Sequence, residues 1–145
     1  MIKIETSVLI NRPVEEVFAY VANLENGGEW QTDVQELKQT SEGPLGVGTV
    51  WQEVRQLLGR RVEQSNKITE YEPNKKFSYR QSGTVPVEAM ITFESVAEGE
   101  TKVTMTGEAE PGGFFKLAEP LVARMAKRQT EANAANLKDI LEAQA

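Results

Sequence analysis

From Trp30 to Glu108 the chain alternates apolar and polar residues with a period of two, and only after Pro111-Gly112-Gly113 does the period become that of a helix. Turn signals cut the alternating stretch at Gly43-Pro44 through Gly48, Gly59-Arg60, Glu72-Pro73-Asn74, Gly83 to Pro86 and Glu98-Gly99. Six short strands joined by local turns have to pair with their neighbours, so the pattern predicts an antiparallel meander followed by one long helix. A further strand precedes it. Ile2, Ile4, Val8 and Ile10 alternate with Lys3, Glu5, Ser7 and Asn11, and at Pro13 the phase breaks into the helical spacing of Val14, Val17, Phe18 and Val21. Pro13 is expected at the first helical position, with Glu15 and Glu16 in the first turn. Asn23 to Trp30, with Asn26-Gly27-Gly28 inside it, reads as a broken second helical turn ending on a large aromatic.

One hairpin can be registered from the sequence. With Gly59-Arg60 as a two-residue turn, Leu58 pairs with Arg61, Trp51 with Ile68, Glu53 with Asn66, Arg55 with Gln64 and Leu57 with Val62. The pairs from Trp51 with Ile68 to Leu57 with Val62 are the expected concave face, because they hold the aromatic and most of the branched apolar residues. Phe77 and Tyr79, then Ala89, Ile91 and Phe93, then Val103 and Met105, take the buried side of the later strands.

The last helix is expected from Phe114 or Glu119 to Leu141, with Pro120 near its start. At about 100° per residue, Lys116, Arg124, Lys127, Glu131 and Lys138 fall on one side. Opposite them are Phe115, Ala118, Val122, Ala126, Gln129, Asn133, Leu137 and Ile140. The inward stripe is bulky at its ends and small or polar in its middle. A helix that only filled a core would carry Leu or Ile at Ala126, Gln129 and Asn133. The pattern leaves room between helix and sheet, with hydrogen-bonding groups beside it.

Composition narrows the chemistry. The 145 residues suit one domain, taken as 1–145. Without cysteine or histidine there is no thiolate nucleophile, no imidazole base and no common zinc site. A formal charge of -6, with no basic run longer than a pair, argues against nucleic acid and disfavours an anionic membrane surface. Neither a secretory leader nor an apolar membrane span is legible, so a cytoplasmic location without stable membrane insertion is expected.

Several stretches together resemble the START-like superfamily, and within it the polyketide cyclase/dehydrase and lipid transport group. They are Ile10 to Val17 (INRPVEEV), Asn23 to Trp30, Ser41 to Thr49 (SEGPLGVGT), Ile68 to Pro73 (ITEYEP) with Phe77 after it, Thr92-Phe93-Glu94, and Thr101 to Thr104 (TKVT). The resemblance covers essentially the whole chain. It implies an α+β helix-grip fold, related to Bet v1, in which a seven-stranded curved antiparallel sheet wraps a long C-terminal helix, with one or two short helices after the first strand. It also implies a cavity that in relatives takes sterols, polyketides, quinones, plant hormones or other apolar molecules. No shared catalytic residues come with it, and the histidines some enzymatic relatives use are missing.

The expected ligand-binding set is Trp30, Trp51, Glu53, Arg55, Gln64, Asn66, Tyr79, Ile91, Met105, Phe115, Val122, Met125 and Gln129. Trp51 could stack on a ligand or be a core aromatic; Trp30 could be part of a lid or a plug. Glu53 and Arg55, two apart on one strand, could orient a ligand carbonyl or carboxylate through the guanidinium, or be a solvated pair near the sheet edge. Gln64, Asn66, Gln129 and Asn133 could bond a ligand or one another. Gly43, Gly46 and Gly48 are turn residues, not a phosphate loop.

Three functions fit these residues. The first is a carrier or sensor for an apolar small molecule, monomeric or homodimeric, needing no cofactor or metal. The second is a cofactor-independent cyclase or dehydratase in which Glu53 moves a proton and Arg55 steadies the developing enolate. The third is a protein-interaction module resembling a chaperone cofactor.

Overall fold

A computed structural model describes residues 1–83 and 85–143. Thr84, within the expected Gly83 to Pro86 turn, and residues 144–145 lie outside the described residues. The first strand is β1 (Ile2–Ile10), followed by α1 (Val14–Ala22), a single 3-10 turn (Leu24–Asn26) and α2 (Gly27–Trp30). Then come β2 (Val34–Gln39), β3 (Val50–Leu57), β4 (Arg60–Glu72), β5 (Lys76–Gly83), β6 (Val87–Ala97) and β7 (Glu100–Ala109). The chain closes with α3 (Gly113–Leu117) and α4 (Glu119–Ala143). The strands form one seven-stranded antiparallel sheet in the order β1-β7-β6-β5-β4-β3-β2, so β1 is edge-paired to the last strand of the meander. This is the expected α+β helix-grip architecture.

Two expectations change in detail. Pro13 stands outside α1 as its cap, with extended backbone (φ -61, ψ 148), and Val14 opens the helix. The β3–β4 turn is Leu58-Gly59, not Gly59-Arg60: both residues have positive φ (53° and 74°), the geometry of a tight primed hairpin turn. Trp51 therefore pairs with Asn66, Glu53 with Gln64, Arg55 with Val62 and Leu57 with Arg60. The error is two residues, and because side chains alternate with period two it leaves every residue on its expected face. The strands are also longer than expected, β4 reaching 13 residues. Register shifts between Val34 and Glu36, Ile68 and Glu70, and Ser95 and Ala97 break the ladders and bend the sheet.

The core has two centres. Phe18 of α1 packs edge-on against Tyr71, Phe77 and Phe93, with Ile10, Trp30, Trp51, Leu137 and Leu141 around them. At the other end Ile2, Val62, Val85, Phe115 and Val122 form a smaller cluster. The terminal helix consists of two segments, α3 and α4, divided at Ala118. Val122 anchors α4 at the smaller cluster, and Ala134, Leu137 and Leu141 anchor it at the larger. Ala134 and Leu141, outside the expected stripe, are buried, so the contact face turns toward them near the C-terminus. The middle of α4 is held off the sheet.

Candidate ligand cavity

Between the two clusters lies a cavity of about 270 Å³, floored by the concave sheet and roofed by Val122, Met125, Ala126, Gln129, Thr130 and Asn133 of α4. Its existence follows from small side chains on both walls. Ala89 of β6, Gly107 and Ala109 of β7, and Ala126 of α4 all line it. A Cβ at Gly107 would come no nearer than 3.9 Å to Glu88 O or Val87 Cγ1, so the missing side chain is space, not relief of a clash. Ile2, Ile4, Leu57, Val62, Val85, Val87, Ile91 and Met105 make the apolar part of the wall.

The polar part is a network that joins three elements. Arg55 Nη1 donates to Asp33 Oδ1 (3.1 Å) and Oδ2 (3.0 Å), and Nη2 donates to Gln31 Oε1 (2.6 Å) and Glu53 Oε2 (3.0 Å). Asn133 Nδ2 reaches Asp33 Oδ1 at 3.5 Å, and Gln129 Nε2 donates to Thr32 Oγ1 and Asn133 Oδ1, each at 2.8 Å. The short segment Gln31 to Asp33 thereby ties α4 to β3. Its position depends on α2 lying close to β2: a Cβ on Gly27 would stand 2.7 Å from Leu37 Cδ1. Across the cavity Gln81 Nε2 donates to Gln64 Oε1 and to Val85 O.

Glu53 and Arg55 are therefore not a solvated pair at the sheet edge. Their side chains are only 2% and 20% exposed. Burial disfavours the charge on Arg55, yet the carboxylates of Glu53 and Asp33 outweigh it and hold its pKa above the ordinary arginine value. The guanidinium fork is spent on Asp33, Gln31 and Glu53, leaving only Nε unpartnered. With two carboxylates against one guanidinium, this corner is net negative. A ligand carboxylate has no free fork to meet here.

A second void of about 40 Å³ lies beside the first, and Trp30, Gln31, Arg55, Tyr79 and Ile91 line both. Glu53 and Trp51 line only the smaller one. Among the described residues Glu53 Oε1 and Trp30 Nε1, both buried, have no hydrogen-bond partner.

Nine residues of the expected set line the larger cavity: Trp30, Arg55, Gln64, Tyr79, Ile91, Met105, Val122, Met125 and Gln129. Four do not. Trp51 packs edge-on against Tyr79 (5.2 Å between centroids), Phe115 belongs to the smaller cluster, and Glu53 faces the smaller void. Asn66 is fully buried with neither amide atom partnered, and it borders neither space. Gln129 and Asn133 bond each other and the loop. The expected ligand-binding set omits Gln31, Asp33 and Gln81, and the small residues Ala89, Gly107 and Ala109, all of which line the cavity. The run of Ala, Gly and Ala at inward strand positions was the available signal.

Tyr79 gives a pH test of this corner. Burial, opposed by Arg55 and reinforced by Glu53 and Asp33, pushes its pKa from 10.0 up to about 12. Folding stability is unaffected by this group below pH 10.0, where the phenol is neutral whether the chain is folded or not. As pH rises from 10.0 toward about 12 the unfolded chain ionises first, so stability falls across that interval. In Tyr79→Phe, stability is expected to fall less steeply there, by on the order of 2 kcal/mol, as measured by urea unfolding at successive pH values. Equal slopes would mean Tyr79 titrates as if exposed.

The sequence matches the family described as Polyketide cyclase / dehydrase and lipid transport over residues 1–142. The chain belongs to this family. Among solved structures, TTHA0849 from Thermus thermophilus is 20% identical, with a TM-score of 0.85 over 99% of both chains. A START superfamily protein from Mycobacterium smegmatis is 13% identical, with a TM-score of 0.82 over 100% of both. One part of the di-domain ARO/CYC BexL, from the BE-7585A biosynthetic pathway, is also similar: 17% identical, TM-score 0.70, over 96% of this chain and 46% of that one. At these identities the likeness between this polyketide cyclase/dehydrase and lipid transport family member and those structures is one of fold. No curated protein matches the chain.

Proposed function

We propose that the protein encloses one uncharged, largely apolar small molecule between its sheet and α4, and acts as a carrier or sensor rather than as a catalyst. The observation that carries this reading is the cavity of about 270 Å³, close to the lower end of the roughly 300–1,000 Å³ typical of small-molecule sites. Affinity comes from removing apolar surface from water, at about 25 cal/mol per Å². Orientation comes from Gln31 and Gln129 at the polar corner and from Gln64 and Gln81 across the cavity.

The net negative corner adds selectivity, since a buried anion there meets two carboxylates and an occupied guanidinium. Neutral N-phenylnaphthylamine is expected to bind saturably at one site, and at least about tenfold more tightly than its anionic analogue anilinonaphthalene sulfonate. Probe fluorescence in a direct titration measures both. Equal affinities would remove the charge argument, and no saturable binding of either probe would remove the ligand-binding reading. A cyclase or dehydratase role for Glu53 gains less support, because Glu53 does not line the larger cavity, where a substrate would lie.

A further inference from the structure

Eight large apolar residues stand exposed among the described residues, and four of them fall within one short stretch: Phe114 (46%), Leu117 (88%), Leu121 (47%) and Met125 (36%). Their spacings of three, four and four keep them on one side of a helical path. The hydrogen bonds Ala118 N to Phe114 O and Val122 N to Ala118 O carry that path through the break between α3 and α4. Met125 also lines the cavity, so the stripe runs along its rim.

The charge around the stripe opposes that of the whole molecule. Arg124 and Arg128 share a helix face with Leu121 and Met125, and Lys127 lies beside them. Arg60, from the start of β4, sits 3.9 Å above the Phe114 ring. Among the described residues none of these four cations forms an ion pair with a carboxylate. In sequence they are two separated groups in a chain of formal charge -6, which is why the overall charge argues against an anionic surface. Folding brings Arg60 to the apolar stripe, so cations from both groups flank it.

We propose that α3 and the first turns of α4 dock on an anionic lipid surface, with the four apolar side chains entering the interface and Arg60, Arg124, Lys127 and Arg128 meeting lipid phosphates. Exposed apolar knobs with flanking cations are the pairing that peripheral membrane attachment uses. Docking brings the cavity rim to the bilayer, yet it does not depend on what the cavity holds.

Co-sedimentation with vesicles tests this, comparing pure phosphatidylcholine with phosphatidylcholine containing one third phosphatidylglycerol. The protein is expected to pellet with the anionic vesicles and not with the neutral ones. Binding should weaken at least about tenfold between about 0.1 M and about 1 M salt, as the Debye length falls from about 10 Å to about 3 Å. Phe114→Ser with Leu117→Ser, and separately Arg124→Glu with Arg128→Glu, should each abolish pelleting. Lys75→Glu with Lys102→Glu, the same charge change at the far end of the sheet, should preserve it. Circular dichroism verifies the fold of each variant. The proposal is overturned by failure to pellet with either vesicle, by equal loss in the remote control, or by a stripe variant that dissolves a dimer in sedimentation equilibrium without changing vesicle binding.

Discussion

Arg55→Met loses about 3–5 kcal/mol of folding stability, the cost of leaving buried carboxylates without their cation. Glu53 is almost wholly buried and Asp33 is 17% exposed at its side chain, so neither is freely hydrated once the guanidinium is gone. Methionine occupies a similar volume, which keeps the effect from being one of packing. The loss is larger than that of a surface ion pair, which contributes about 0–1 kcal/mol. Adding Glu53→Leu to Arg55→Met is expected to recover much of the stability, because the orphaned charge, not the missing bridge, is what costs. Urea unfolding of the two variants checks both statements. A change under about 1 kcal/mol in Arg55→Met would mean that this corner is solvated in solution.

Filling the cavity has the opposite signature. Gly107→Val combined with Ala126→Leu places methyl groups from floor and roof into the same space, at positions with ordinary strand and helix backbone. If the space is empty of protein, the added carbons bury themselves at about 0.8 kcal/mol per CH2, and replacing a mid-strand glycine helps further. The double variant should then be at least as stable as the parent while its affinity for neutral N-phenylnaphthylamine falls by at least about tenfold. In a close-packed interior the same substitutions would cost about 1–3 kcal/mol through overpacking. The sign of the stability change therefore reports on the cavity even without any ligand.

Much of this arrangement could be read from the residues because it depends on periodicity. Strand faces follow from alternation, and the hairpin error of two residues did not move a single side chain to the other face. The gap at the middle of α4 was visible in the contrast between Val122, Leu137 and the small or polar Ala126, Gln129 and Asn133. What could not be read has no period. Asp33 and Gln31 reach Arg55 from an irregular segment more than 20 positions earlier in the chain, and nothing in a loop's sequence announces which strand it crosses. Trp51 and Asn66 share the concave face with Arg55, yet bends at the register shifts decide which part of that face borders open space. Those bends arise where one residue is left unpaired, as at Thr69 between Ile68 and Glu70.

A crystal of the protein grown with neutral bromonaphthalene, measured at the bromine absorption edge, tests most directly whether α4 stands away from the sheet to admit a guest. The expected result is a bromine peak between Ala126 and Gly107, absent from the Gly107→Val, Ala126→Leu variant. Bromine found only on the outer surface, with side chains from the strands filling the space beneath Ala126, would contradict the account.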